Sequence, residues 1–228
     1  MFSAVKNLIV ACDNPDLEQV LSLAKQLKGK IAALKLGLEF FTANGAAGVK
    51  QVRAIGIEIF LDLKFFDIPN TVAAAVREAV KLEVKFLTIH ASGGSNMLKA
   101  AASEAGQVDL VAVTILTSHS DADIAEVGFK DSVAATVKDL AALTVKNNIP
   151  ALVCSAQEVK EIKALHPDLQ VITPGIRFAG DAAGDQKRVV TPLTALQNGS
   201  DYLVMGRSIT SGDIATKIQQ FNQEVANV

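Results

Sequence analysis

The chain is short of cysteine, carries almost no net charge, has no long apolar run and lacks the glycine-rich turn of a dinucleotide site. Each shortage excludes something. The two cysteines, Cys12 and Cys154, sit in separate apolar runs with no metal-ligand spacing. They read as reduced, buried thiols of a cytoplasmic protein, not as a disulfide framework. The start, Met1-Phe2-Ser3-Ala4-Val5-Lys6, has no apolar stretch after a basic beginning, so neither a signal peptide nor a membrane span is expected. Lys and Arg number 22 against 24 Asp and Glu, a net charge of −2. Nucleic-acid binding needs a concentrated surplus of positive charge and is not expected here. A small anionic ligand needs only a local positive pocket and remains open.

What is present is enough apolar material for a core. Half of the 228 residues are hydrophobic and a fifth are charged, an ordinary balance for a globular chain that folds without staples. Short runs rich in Val, Ile and Leu recur along it: Leu8–Cys12, Ile31–Leu36, Glu58–Leu63, Phe86–Ile89, Leu110–Leu116, Ala151–Cys154, Val171–Thr173 and Tyr202–Met205. Several are apolar on both faces, as strands covered on both sides must be. Between them lie helical spacings at Asp16–Leu27, Thr71–Leu82, Asn96–Ala105, Ser132–Lys146, Gln157–Leu165, Thr191–Gln197 and Asp213–Val225. Pro15 and Pro69 near helix starts, and Gly29 past a helix end, punctuate the pattern.

Eight strands alternating with helices predict an α/β fold, a (β/α)8 TIM barrel. An open doubly wound sheet would usually follow its first strand with G-x-G-x-x-G. Here that strand leads into Asp13-Asn14-Pro15. With no linker or low-complexity stretch, residues 1–228 read as a single domain.

In such a barrel the C-terminal ends of the strands converge on one face, where active sites form. Taken in order, those ends carry Asp13, Lys35, Asp62 with Lys64, His90, Thr117 with Ser118, Ser155, Arg177 after Pro174-Gly175, and Gly206-Arg207. The densest segment is Phe60-Leu61-Asp62-Leu63-Lys64-Phe65-Phe66-Asp67-Ile68-Pro69-Asn70-Thr71. On a regular strand Asp62 and Lys64 point to one side, and Leu61, Leu63 and Phe65 to the other. An ordinary strand-end ion pair with a turn aspartate would leave the same trace.

This segment resembles the signature of the orotidine 5′-monophosphate decarboxylase family, D-x-K-x-x-D followed by I-P-x-T. Further blocks are similar and fall in the same order: Ala11-Cys12-Asp13, Lys35-Leu36-Gly37-Leu38-Glu39, His90-Ala91-Ser92-Gly93-Gly94, Leu116-Thr117-Ser118, Thr173-Pro174-Gly175-Ile176-Arg177, Gly184-Asp185-Gln186-Lys187-Arg188 and Gly206-Arg207-Ser208. Two positions depart from the family pattern, Phe66 where His is frequent and His119 where Met is frequent.

The resemblance implies loss of CO₂ from C6 of a pyrimidine nucleotide, with no cofactor and no metal. Electrostatics and placement alone would lower a barrier that enzymes as a class lower by ~8–23 kcal/mol. It implies that Lys64 is the proton donor and that Asp62 lies beside the substrate carboxylate. Lys35–Asp62–Lys64–Asp67 would form an alternating chain of charge. It also implies that Asp67, Ile68 and Thr71 reach the site of a partner subunit, which makes a homodimer. Asp13 and Lys35 would hold the ribose, and Thr117 or Ser118 the pyrimidine edge. Gly206 and Arg207 would cradle the phosphate. Phe178–Lys187, rich in Gly, Ala and Asp, would act as a lid carrying Gln186, supported by Arg177.

Blander readings stand beside these. Thr117 or Ser118 could cap a helix starting near Asp121. Arg207 could be a solvated surface arginine, and His90 a core or rim histidine. A sister enzyme acting on a sugar phosphate with Mg²⁺ would place an acid at the end of the second strand. Lys35 stands there and would repel the ion. A nucleotide-binding barrel without activity is the other alternative.

Overall fold

The computed structural model describes residues 6–181 and 189–226. Eight strands close in chain order into a parallel barrel: β1 Leu8–Cys12, β2 Ala33–Leu36, β3 Ile59–Phe65, β4 Phe86–His90, β5 Asp109–Val113, β6 Ala151–Val153, β7 Gln170–Thr173 and β8 Tyr202–Met205. The helices are α1 Leu17–Leu27, α2 Leu38–Arg53, α3 Pro69–Val80, α4 Gly94–Glu104, α5 Asp121–Glu126, α6 Val133–Lys146, α7 Val159–Leu165, α8 Pro192–Gln197, α9 Arg207–Thr210 and α10 Ile214–Glu224. The (β/α)8 expectation is met. Among the described residues no helix is long and apolar enough to cross a membrane.

Strand alternation explains why both faces of the sheet are apolar. One residue of each strand packs in the barrel interior: Ile9, Ala33, Phe60, Phe86, Val111, Ala151, Ile172 and Val204. Their neighbours in the chain, such as Leu8, Val10, Leu34, Ile59, Leu61 and Leu87, join the larger layer between sheet and helices. The interior is filled by edge-to-face rings, Phe60 on Phe86 at 5.6 Å and Phe86 on Tyr202 at 5.3 Å. The barrel is therefore a plugged cylinder, and ligands must enter at one end.

Local chemistry sets the helix starts. Asp16, Ser132, Thr191 and Asp213 cap α1, α6, α8 and α10 through their side chains, and Pro69 opens α3. Ser120 caps α5 in a reciprocal box with Asp123. The capping alternative for Thr117 and Ser118 therefore falls away, because the helix is already capped.

The α2 helix had no counterpart among the helical spacings. Gly45 interrupts it with φ 57°, a kink that breaks the 3.6-residue period. The fifth strand ends at Val113 instead of Leu116, which frees Ile115–Ser118 to line the open end of the barrel.

Candidate active site

A cavity of about 460 Å³ opens at the C-terminal end of the strands. Asp13, Lys35, Asp62, Lys64, Thr117, Ser118, Arg177, Gly206 and Arg207 line it, over a floor that includes Phe60, Val153 and Val204. Nine of the residues singled out from the sequence thus share one wall-to-wall site. Asp67, Ile68 and Thr71 do not line it; Asp67 and Ile68 are exposed on the turn between β3 and α3, and Thr71 in the first turn of α3. Gln186, with the rest of residues 182–187 of the expected lid, lies outside the described residues.

The charged centre is a row of four side chains. Asp13 Oδ1 lies 3.5 Å from Lys35 Nζ, Lys35 Nζ 3.2 Å from Asp62 Oδ2, and Asp62 Oδ1 2.9 Å from Lys64 Nζ. Lys35 and Asp62 are nearly enclosed, with side chains 13% and 12% exposed. Burial pushes the Lys35 ammonium down, but Asp62 and then Asp13 outweigh it, and its pKa ends above the ordinary lysine value. Burial likewise pushes Asp62 up, but Lys35 and then Lys64 outweigh it, and its carboxyl is held below the usual range. Both groups are charged at neutral pH because each is the other's partner. Gly37 keeps room for this pair: a Cβ there would come within 3.3 Å of Asp13 Oδ1 and 3.4 Å of Lys35 Nζ.

The row differs in membership from the chain of charge implied by the resemblance. Among the described residues Asp67 makes no ion pair. Its Oδ1 accepts a hydrogen bond from the Ile68 N–H at 2.6 Å, and Asp13 takes the outer position beside Lys35.

Regular strand alternation does not produce the Asp62–Lys64 pair. β3 and β4 are in register at Leu61↔Leu87 and again at Phe65↔Ile89, so Asp62, Leu63 and Lys64 all face the single residue Thr88. Lys64 has φ 51°, a left-handed conformation that a side chain of this length rarely adopts. The bulge re-aims the lysine into the cavity mouth, where its ammonium turns back onto Asp62. Thr88 was missed in the sequence. Its signal was a lone hydroxyl inside the apolar run Phe86–Ile89, two residues beyond the interior-facing Phe86.

His90 ends β4 outside the cavity lining, with its ring edge-on to Phe66 at 5.7 Å. Burial, then the nearby Lys64 ammonium, lowers its pKa, with Asp62 opposing. It is a neutral rim histidine at pH 7. Across the barrel, the Arg177 backbone N–H donates to the Val190 carbonyl, which ties the stretch after Pro174-Gly175 to the segment leading into α8, and Arg177 Nη1 donates to the Ile176 carbonyl at 2.8 Å. Gly206 precedes and Arg207 begins the short α9 directly after β8, the position where barrels of this class commonly hold a phosphate. Among the described residues no group of three or more His, Cys, Asp or Glu side chains is placed to hold a metal ion.

Comparison with known proteins points the same way as this geometry. The family model described as orotidine 5′-phosphate decarboxylase / HUMPS matches residues 6–220. The orotidine 5′-phosphate decarboxylase of Dichelobacter nodosus is 50% identical over 208 residues, 89% of this chain and 91% of that protein. Its counterpart in Paramagnetospirillum magneticum is 45% identical over 217 residues, 91% and 92% of the two chains. The crystal structure of orotidine 5′-phosphate decarboxylase from Lactobacillus acidophilus matches with a TM-score of 0.86 at 34% identity, covering 98% of this chain and 100% of that one.

Proposed function

Because the chain belongs to the orotidine 5′-phosphate decarboxylase / HUMPS family, we propose that its barrel decarboxylates orotidine 5′-monophosphate to uridine 5′-monophosphate, with Lys64 as proton donor. It is a carboxy-lyase acting at the last step of de novo pyrimidine nucleotide synthesis. The observation that carries the reading is the Asp62 carboxylate held between two ammonium groups at the cavity mouth.

The substrate's C6 carboxylate sits beside Asp62 and its C6 beside Lys64. The two carboxylates repel in a site shielded from water, and the repulsion vanishes as CO₂ departs. The C6–carboxylate bond breaks, the electron pair stays on C6, and Lys64 Nζ supplies the proton that completes uridine 5′-monophosphate. The amine left behind regains a proton from solvent. The ammonium stabilises the developing carbanion before it gives up the proton, so it acts both electrostatically and as general acid. Lys35 and Asp13 hold the ribose, and Thr117 and Ser118 meet the pyrimidine edge. Gly206 and Arg207 hold the phosphate, and Gln186 joins it from the lid. Binding energy gathered at the phosphate offsets the cost of a closed, charged site around C6.

Lys35 decides against the sugar-phosphate alternative. Two ammonium groups share one carboxylate here, and a divalent ion placed among them would meet both. The exposed turn fits a homodimer: Phe66 and Ile68 are 61% and 66% exposed beside Asp67, an apolar projection suited to a second copy whose site it completes. A cytoplasmic setting and one catalytic domain go with this reading.

One subunit-mixing experiment tests it. Lys64→Ala and Asp67→Ala should each abolish turnover of orotidine 5′-monophosphate, followed by ultraviolet absorbance in EDTA. Mixing the two inactive proteins should restore about a quarter of wild-type activity, because half of the exchanged dimers are hybrids with one intact site. Full activity in Lys64→Ala would refute the proton donor, and no recovery on mixing would refute the shared site.

A further inference from the structure

We propose that Thr88 is a positioning residue for the decarboxylation, a hydroxyl that locks Lys64 and Asp62 to each other through the bulge in β3. It is fully buried on β4 and is the one residue facing Asp62, Leu63 and Lys64 where the strands fall out of register. Its Oγ1 accepts the Lys64 backbone N–H at 2.8 Å and donates to Asp62 Oδ1 at 3.0 Å.

The two bonds answer two costs. A bulge deprives its strand of ladder partners, and a buried N–H without a partner is expensive. Thr88 supplies the acceptor that the Lys64 N–H lacks, and so fixes the left-handed backbone that aims the ammonium. The hydroxyl proton then has one direction left, toward Asp62 Oδ1, the same oxygen that receives the Lys64 ammonium at 2.9 Å. Backbone, carboxylate and ammonium close into a ring through one oxygen atom. No single atom of a main-chain amide could do this, because its nitrogen only donates and its oxygen only accepts. Displacing Lys64 by about 1 Å is enough to cost a reaction roughly 100-fold.

This inference rests on the reading of Lys64 and Asp62 as the reacting pair. Thr88→Val keeps the shape and removes both bonds, and Thr88→Ser keeps both bonds and removes a buried methyl. Acting through its hydroxyl, Thr88→Val should lower kcat about 10- to 100-fold while KM moves less than about threefold. Thr88→Ser should stay within about threefold of wild type in kcat even though its Tm falls further. A packing role predicts the reverse order, with Val harmless and Ser impaired, and that result overturns the proposal. Should Thr88→Val fail to fold, Thr88→Ala against Thr88→Ser isolates the same hydroxyl, and equal kcat in that pair also overturns it. Lys64→Ala measured alongside separates the two ideas. If it retains turnover the decarboxylase reading is at fault; if it is inactive while Thr88→Val matches wild type, only the role of Thr88 fails.

Discussion

Replacing Asp62 by Asn should destabilise the folded protein severely, although the two side chains have the same shape. Lys35 Nζ lies 3.2 Å from Asp62 Oδ2, and their side chains are 13% and 12% exposed. At an effective dielectric of ~20, opposite charges at that distance attract by about 5 kcal/mol. Desolvation of the two ions opposes this with several kcal/mol each, so the pair as a whole adds little. Removing one member is different, because the desolvation of Lys35 remains and its main compensation is gone. Asp13 is a poor substitute at 3.5 Å with a side chain 65% exposed; in water-like surroundings its attraction is about 1 kcal/mol. The expected loss is about 3–5 kcal/mol, the usual cost of a buried charge stripped of its partner. For a domain of this size that lowers Tm by roughly 6–20 °C. Urea unfolding at pH 7 and fixed protein concentration, repeated in high salt, measures it, and the loss should persist in salt because the pair is enclosed. The double variant Lys35→Met with Asp62→Asn should return to within about 2 kcal/mol of wild type. Lys64 can then turn its partly exposed side chain to water. An Asp62→Asn protein within about 1 kcal/mol of wild type, or a double variant worse than the single one, would refute this reasoning.

Two further outcomes follow from the same geometry. Arg207→Ala should reduce kcat/KM for the nucleotide by about 10²- to 10⁴-fold, the worth of two charge-assisted phosphate bonds, and leave the much slower reaction of the nucleoside without phosphate unchanged. An equal loss on both substrates would show that Arg207 serves something other than phosphate. His90 is held below the ordinary histidine pKa by burial and then by Lys64. As pH falls through ~6.5 the unfolded chain takes up that proton before the folded one does. Stability contributed by neutral His90 is therefore complete above that pH and lost below it. Unfolding measured from pH 7.5 to 5.5 should show this decline in the wild type and a flatter curve in His90→Gln; parallel curves would rule it out.

Much of the architecture was legible because strands covered on both faces must be apolar throughout, and eight such runs separated by helical spacings leave few alternatives. The site residues were legible for a related reason. A charged side chain such as Lys35 or Asp62 at the end of an apolar run is costly to enclose there without a partner, so it stands out. What the chain alone could not convey was the path between those residues. The bulge at Asp62–Lys64 is a relation between two strands, and no feature of β3 by itself sets how it registers with β4. Regular alternation brought Asp62 and Lys64 to one side by an argument that the folded chain does not use. Thr88 passed for a filler in an apolar run until the barrel closed and set it opposite them. The kinked α2 was hidden because Gly45 breaks the period by which helices are read. Composition and spacing determine which elements form and which residues are out of place in a core. Distances between strands, and the hydroxyl that joins two of them, exist only once the barrel has closed, because hydrogen bonds of this kind depend on angstroms that no linear order contains.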